Sequence, residues 1–318
     1  MISRRLLRLK IMQILYSYFQ KLSDDINQTE KELFESINKT YELYHYLMLL
    51  IIDLKYFAAH RLEINRNKFI KPTDKKDLSE NFVNNKLIKL LEENYLLQTF
   101  LNNNKFNWHL YPNLLPSLYK DIYKTDFFAK YQQIDNPTFS EDKKLIINIL
   151  TDVFPYSNDL IQALEETSIY WNDDLEFVIS NIIQTIKKFK LENGSDNKLM
   201  KLYKNEDDII YTKELFRKTI LKHTEHVEII KNYLENWEID RIAQIDIILL
   251  EMALTELYYM EEIPTKVTLN EYIEISKFYS TEKSGTFING ILDKIVHDGK
   301  KSGKIIKKGK GLIGEINN

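Results

Sequence analysis

IPTKVTLNEYIEISKFYSTEKSGTFINGILDK, residues 263–294, sets two helix-forming runs on either side of a small-residue turn. Thr268 stands three residues before Glu271, the spacing of a reciprocal capping pair, which predicts a helix start near Leu269. Leu269, Tyr272, Ile273 and Lys277 continue that run to about Tyr279, where Ser280, Thr281 and the Ser284-Gly285 pair interrupt it. A second helix follows through Phe287, Ile288, Ile291, Leu292 and Ile295. Its amino end carries Lys283, Ser284, Thr286 and Phe287. Free backbone N–H groups and the positive dipole end favour a phosphate there, and an adjacent aromatic ring suits a stacked base. Residue type alone favours the plainer alternative, Phe287 as core and Ser284 as a cap.

Outward from this stretch the chain continues to read as helix. Seven of the eight glycines lie from Gly285 onward, leaving Gly194 alone in the first 284 residues, and no period-two strand block stands out. The periodicity predicts a first helix over 3–19, with Leu7, Ile11, Ile14, Leu15 and Tyr18 on one stripe and Arg4, Arg5 and Arg8 along its flank. A long helix is predicted over 29–60, and shorter ones over 85–101, 116–130, 142–150, 157–167 and 173–189, punctuated by Pro112, Pro137 and Pro155. Residues 190–208 read as a linker, and helices over 212–237 and 240–260 lead back to the opening stretch.

Composition narrows the function. The 318 residues contain no cysteine, which excludes disulfides, thiolate metal sites and a cysteine nucleophile, and points to a reducing, cytoplasmic setting. The longest apolar run, residues 46–52, falls far short of the roughly 20 residues a bilayer span needs, so no membrane role is expected. A net charge of −3 confines any nucleic-acid binding to local patches. Two basic patches exist: Arg4, Arg5, Arg8 and Lys10, and the tail with Lys300, Lys301, Lys304, Lys307, Lys308 and Lys310. His223 and His226 share a helix face but lack a third ligand at metal spacing, and Ser280 to Lys283 lacks the companion motifs of a serine acyltransferase. No phosphate loop or dinucleotide fingerprint is present, so neither enzyme chemistry, nor a cofactor, nor a metal is expected. Asp246 aligns with Leu250, Ala253 and Leu257 and, taken alone, is an exposed first-turn acid favoured by the helix dipole.

The opening stretch closely resembles the carboxy-terminal signature of the NusB family of bacterial transcription antitermination factors. The matches are Pro264, Lys266, Val267, Asn270, Glu271, Ile273, Ser276, Lys277, Phe287, Asn289, Gly290, Leu292, Asp293 and Lys294. RIAQIDIILLEMALTEL, residues 241–257, is similar to a second family helix, with Ile247 where an arginine often stands. RRLLRLKIMQILYSY, residues 4–18, resembles the family's arginine-rich first helix, with Leu6 in place of a further basic residue. The blocks occur in family order but are separated by nearly two hundred residues where relatives have a short helical stretch.

The resemblance implies an all-α protein of two packed helical halves, with extra helices inserted in the amino-terminal half. The corresponding division is 1–189 as an enlarged amino-terminal subdomain, 190–208 as linker, 209–298 as a carboxy-terminal subdomain, and 299–318 as a basic tail. It further implies RNA-binding antitermination in ribosomal RNA operons, with boxA-type single-stranded RNA, NusE (a small-subunit ribosomal protein) and the RNA polymerase antitermination complex as partners. The RNA surface would comprise Arg4, Arg5, Arg8, Lys283, Ser284, Thr286 and Phe287. Asp246 and Tyr16 match positions that contact NusE, although Tyr16 also reads as a core aromatic. Two alternatives stay open: a helical interaction scaffold without RNA binding, and an accessory domain like that of certain rRNA cytosine methyltransferases.

Overall fold

The computed structural model describes residues 3–21, 25–67, 79–234 and 241–308. Every regular element among them is a helix or a short 3-10 turn. Helices α1 (Arg4–Lys21) and α2 (Ile26–Asn67) are followed by α3 (Lys86–Glu92), α4 (Tyr95–Asn103), α5 (Leu114–Lys124), α6 (Asp126–Gln132), α7 (Phe139–Asp152), α8 (Asn158–Thr167) and α9 (Leu175–Lys188). Then come α10 (Glu206–Leu221), α11 (His223–Tyr233), α12 (Gln244–Tyr259), α13 (Thr265–Tyr279) and α14 (Ser284–Lys301). No helix among the described residues is long and apolar enough to cross a membrane. The chain is all-α, as the resemblance implies.

Two compact units emerge, residues 38–202 and the described residues within 2–37 and 203–318. The first is held by a contiguous aliphatic and aromatic core running from Leu43 on α2 to Phe189. Polar atoms that cannot avoid this core find backbone partners: Trp108 donates its ring N–H to the Tyr46 carbonyl at 2.8 Å, and Trp171 to the Lys39 carbonyl at 2.7 Å. Helix boundaries are set by side-chain caps. Asn85 accepts from the Leu87 and Ile88 N–H groups, and Thr138 and Glu141 form a reciprocal capping box at the start of α7.

Asn94 makes the break between α3 and α4, so the single helix predicted over 85–101 is two. Its side chain caps Leu97 and donates to the carbonyls of Ser195 and Asn197. Asn197 in turn donates to the Lys190 and Gly194 carbonyls across a turn that Gly194 closes at φ +48°. The front of the stretch read as a linker, through Leu202, is thereby part of the first unit, and α1 groups with the residues after Tyr203 rather than with 38–189.

In the second unit α12 is buried on nearly every side and packs against α1, α10, α11, α13 and α14. Its apolar residues, among them Leu249, Leu250, Ala253 and Leu257, alternate with buried Glu251, Thr255 and Glu256. After α14 the chain turns back at Gly303 and seats Ile305 on the helix at Gly299, where a Cβ would come within 2.5 Å of the isoleucine. Lys307 then reaches the carboxyl end of α12, donating to the Glu256 and Met260 carbonyls at 2.8 and 3.0 Å.

Candidate nucleic-acid and partner interface

The three arginines of α1 have three different fates. Arg8 is 2% exposed and makes a two-pronged ion pair with the fully buried Glu256, at 2.6 and 3.0 Å. Glu256 also accepts from Tyr211 at 2.6 Å, Tyr272 at 2.9 Å and Thr268 at 3.0 Å. Burial alone would raise the Glu256 pKa, but the Arg8 charge and these hydrogen bonds outweigh it and hold the carboxyl below its ordinary value. Arg8, expected as an RNA contact, is therefore a buried cation joining α1, α10, α12 and α13. Its carboxylate must be neutralised wherever it is taken out of water.

That network also corrects the reading of residues 268–271. Thr268 donates to Glu256 and Glu271 pairs with Arg5, so neither caps a helix, and α13 begins one turn earlier at Thr265 with Pro264 in the cap position. Arg5 meets Glu271 through two bonds of 2.8 Å, yet its side chain stays 54% exposed. The hydrogen bond from Arg5 is the main cause that keeps the Glu271 pKa low. Arg4 is half-buried, bonds Asp208 at 3.1 Å and lies over the Tyr211 ring at 4.8 Å.

At the amino end of α14, Ser284 is 1% exposed. Its hydroxyl donates to Asp246 at 2.7 Å and accepts from the Thr281 N–H at 3.1 Å. Ser284 thus locks the turn after α13 to the first turn of α12 and offers no free hydroxyl to a ligand. Asp246, taken alone an exposed acid, is 4% exposed, and its Oδ1 is buried with no hydrogen-bond partner among the described residues. Lys283 and Thr286 are exposed beside this lock, and Phe287 is half-buried, between the two roles weighed for it.

Tyr16 is 41% exposed and shares a face of α1 with Gln20, which bonds Gln244 two residues before Asp246. Tyr16, Asp246 and the end of α14 therefore gather at one end of this unit. Arg4 and Arg5 lie toward the other, because a rise of about 1.5 Å per residue sets Arg5 and Tyr16 roughly 16 Å apart along α1. Between the two groups runs one edge of α13 with exposed Val267 and Phe278 and half-buried Glu271 and Glu274, spaced three and four residues apart. Phe278 is 79% exposed and was not foreseen. Its signal was a large aromatic lying off the buried Tyr272 and Ile275 stripe. The two histidines on α11 also separate: His223 pairs with buried Glu251 at 2.9 Å, whereas His226 is fully buried.

Residues 174–297 match the model of the NusB family. Three proteins named transcription antitermination protein NusB share this region. That of Salinibacter ruber is 51% identical over 104 residues, 33% of this chain and 65% of the relative. That of Chloroherpeton thalassium is 45% identical over 84 residues, 26% and 40% respectively. The Methylacidiphilum infernorum protein is 44% identical over 91 residues, 28% and 64%. The chain thus spans less than two thirds of the length of each of these relatives. A solved structure of T. maritima NusB aligns at 29% identity over 43% of this chain and 85% of that one, with a TM-score of 0.29. The match begins at residue 174, at the head of α9, and leaves α1 and residues 38–173 outside it. Over residues 174–297 the chain is similar to the NusB family.

Proposed function

We propose that this chain is an RNA-binding transcription antitermination factor that engages boxA-type single-stranded RNA together with NusE, within the RNA polymerase antitermination complex of ribosomal RNA operons. It acts by binding alone, in the cytoplasm, without cofactor or catalysis. The observation that carries this reading is the family match over 174–297, which takes in the exposed Lys283 and Thr286 and the half-buried Phe287. Arg5, outside the match, supplies a partly exposed guanidinium at the far end of the α13 edge. Single-stranded RNA suits this spacing, since its phosphates can run between separated cations while bases stack on aromatic rings such as Phe278 and Phe287. Within this reading Arg8 and Ser284 position the surface rather than touch RNA. Tyr16 and Asp246 form the NusE-facing end, Tyr16 as its exposed side chain and buried Asp246 as the group that fixes the turn there through Ser284.

The test is a titration of boxA-like RNA with and without NusE at several salt concentrations. Arg5→Ala and Phe287→Ala should each weaken RNA binding by about tenfold, while Asp246→Asn should alter NusE affinity and leave RNA binding by the isolated chain unchanged. RNA affinity indifferent to both RNA-surface variants and to salt would remove the assignment. One observation favours a second reading, an interaction scaffold without RNA binding: Arg4, Arg5 and Arg8 are each already paired with an acid. Under that reading the same titration shows NusE binding with no RNA affinity.

A further inference from the structure

A groove of about 280 Å³ opens in the second unit between the start of α10 and the carboxyl end of α12. Its floor is apolar, formed by Ile210, Tyr211, Tyr259 and Ile263, and Ile210 is 55% exposed. Its rim carries Asp207, Glu214, Glu261 and Glu262, of which Glu214 pairs with Lys218 and Glu261 with Lys308, while Arg4 is held by Asp208. Glu262 is exposed and has no charge partner among the described residues. The chain's own backbone shows what this rim accepts. Lys308 pairs with Glu261 twice, its N–H to the carbonyl and its ammonium to the carboxylate, each at 2.9 Å. Lys307 meanwhile donates to the Glu256 and Met260 carbonyls at the end of α12, the negative pole of that helix.

We propose that this groove is a docking site for an extended segment of a partner protein that alternates lysine with aliphatic side chains. Charge decides the class of partner: the Asp207 and Glu262 carboxylates, left over once Lys218 and Lys308 have taken Glu214 and Glu261, attract ammonium groups and repel nucleic-acid phosphates. Size decides its conformation. A helix about 10–12 Å across does not enter such a space, whereas one or two aliphatic side chains of an extended strand do, with lysines reaching outward to the rim. The site lies at the opposite end of α12 from Asp246, roughly 20 Å away by the helix rise. A partner seated here leaves the proposed NusE-facing end free.

The probe is a fluorescein-labelled peptide, Lys-Leu-Lys-Ile-Lys-Leu-Lys, titrated by anisotropy against the full chain, with Glu-Leu-Glu-Ile-Glu-Leu-Glu as its control. The lysine peptide should bind and the glutamate peptide should not. Glu262→Lys and Asp207→Lys should each weaken binding by about tenfold, since each reverses a rim charge, and Ile210→Ser should weaken it at unchanged salt dependence. Binding indifferent to both charge reversals overturns the proposal, as does equal binding of the two peptides. Failure of the lysine peptide to bind, with a carbodiimide crosslink between Lys310 and Glu262 in the free chain, also overturns it and assigns the groove to the chain's own tail.

Discussion

The two compact units partner their buried carboxylates differently. Residues 38–202 enclose leucine, isoleucine, phenylalanine and two tryptophans, and their buried carboxylates accept from uncharged donors, Asp142 from Tyr131 and the Lys86 N–H and Asp174 from Thr40. The second unit buries Arg8, Glu251, Glu256, Asp246 and His226 among its aliphatic residues. An apolar core draws its stability from area removed from water and tolerates volume-conserving exchange. An ion-paired core gains little net stability over an apolar one of the same shape, yet it is intolerant of losing one partner. What the second unit obtains is a fixed placement. Glu256 gathers side chains from α1, α10 and α13 onto one carboxylate, and that places Arg5 and the α13 edge beside each other.

The sharpest way to break this contrast is to remove one partner. Arg8→Met should cost about 3–5 kcal/mol in urea unfolding by stranding Glu256, whereas Arg8→Met with Glu256→Leu should recover most of that loss. A single variant no less stable than the double would show that the pair is not what organises the second unit. Leu47→Ala in the first unit, at a fully buried position, should cost about 3 kcal/mol with no compensating partner change available. Its effect should be independent of pH, unlike that of the Arg8 variant.

A smaller, pH-dependent effect separates the units further. Burial lowers the His226 pKa from 6.5 to about 4, and neither of its ring nitrogens has a hydrogen-bond partner among the described residues. Between those values the unfolded chain takes up a proton that the folded chain refuses, so stability is full above about pH 6.5 and is lost as pH falls toward about 4. His226→Leu should flatten that slope and raise stability by about 1 kcal/mol, since it replaces an unsatisfied buried polar group. His45 in the first unit has its pKa lowered to about 4 by the same burial, but one ring nitrogen bonds the Tyr41 carbonyl. His45→Leu should flatten the slope without the gain. Equal gains in both variants would erase the contrast.

Much of the fold was legible because helices announce themselves by periodicity, and α1, α2, α8, α9 and α12 lie close to their predicted spans. What periodicity does not carry is which polar residues turn inward. Thr138 to Glu141 and Thr268 to Glu271 share one spacing, yet the first is a capping box and the second serves two ion-paired networks. The deciding partners, Glu256 and Arg5, are distant in sequence, so no local rule separates the two cases. The same reason hid the burial of Arg8, Ser284 and Asp246. Glu251 and Glu256 within an otherwise apolar helix were the one local sign that charge would be buried there.

The pairing of Arg5 with Glu271 has a thermodynamic corollary for the proposed RNA surface. A guanidinium already shared with a carboxylate neutralises less of an arriving phosphate's charge, so the RNA gives up less of its condensed cation atmosphere at Arg5. The salt slope of binding should therefore count fewer ions than there are cations on the surface, and Glu271→Gln should steepen it by about one ion.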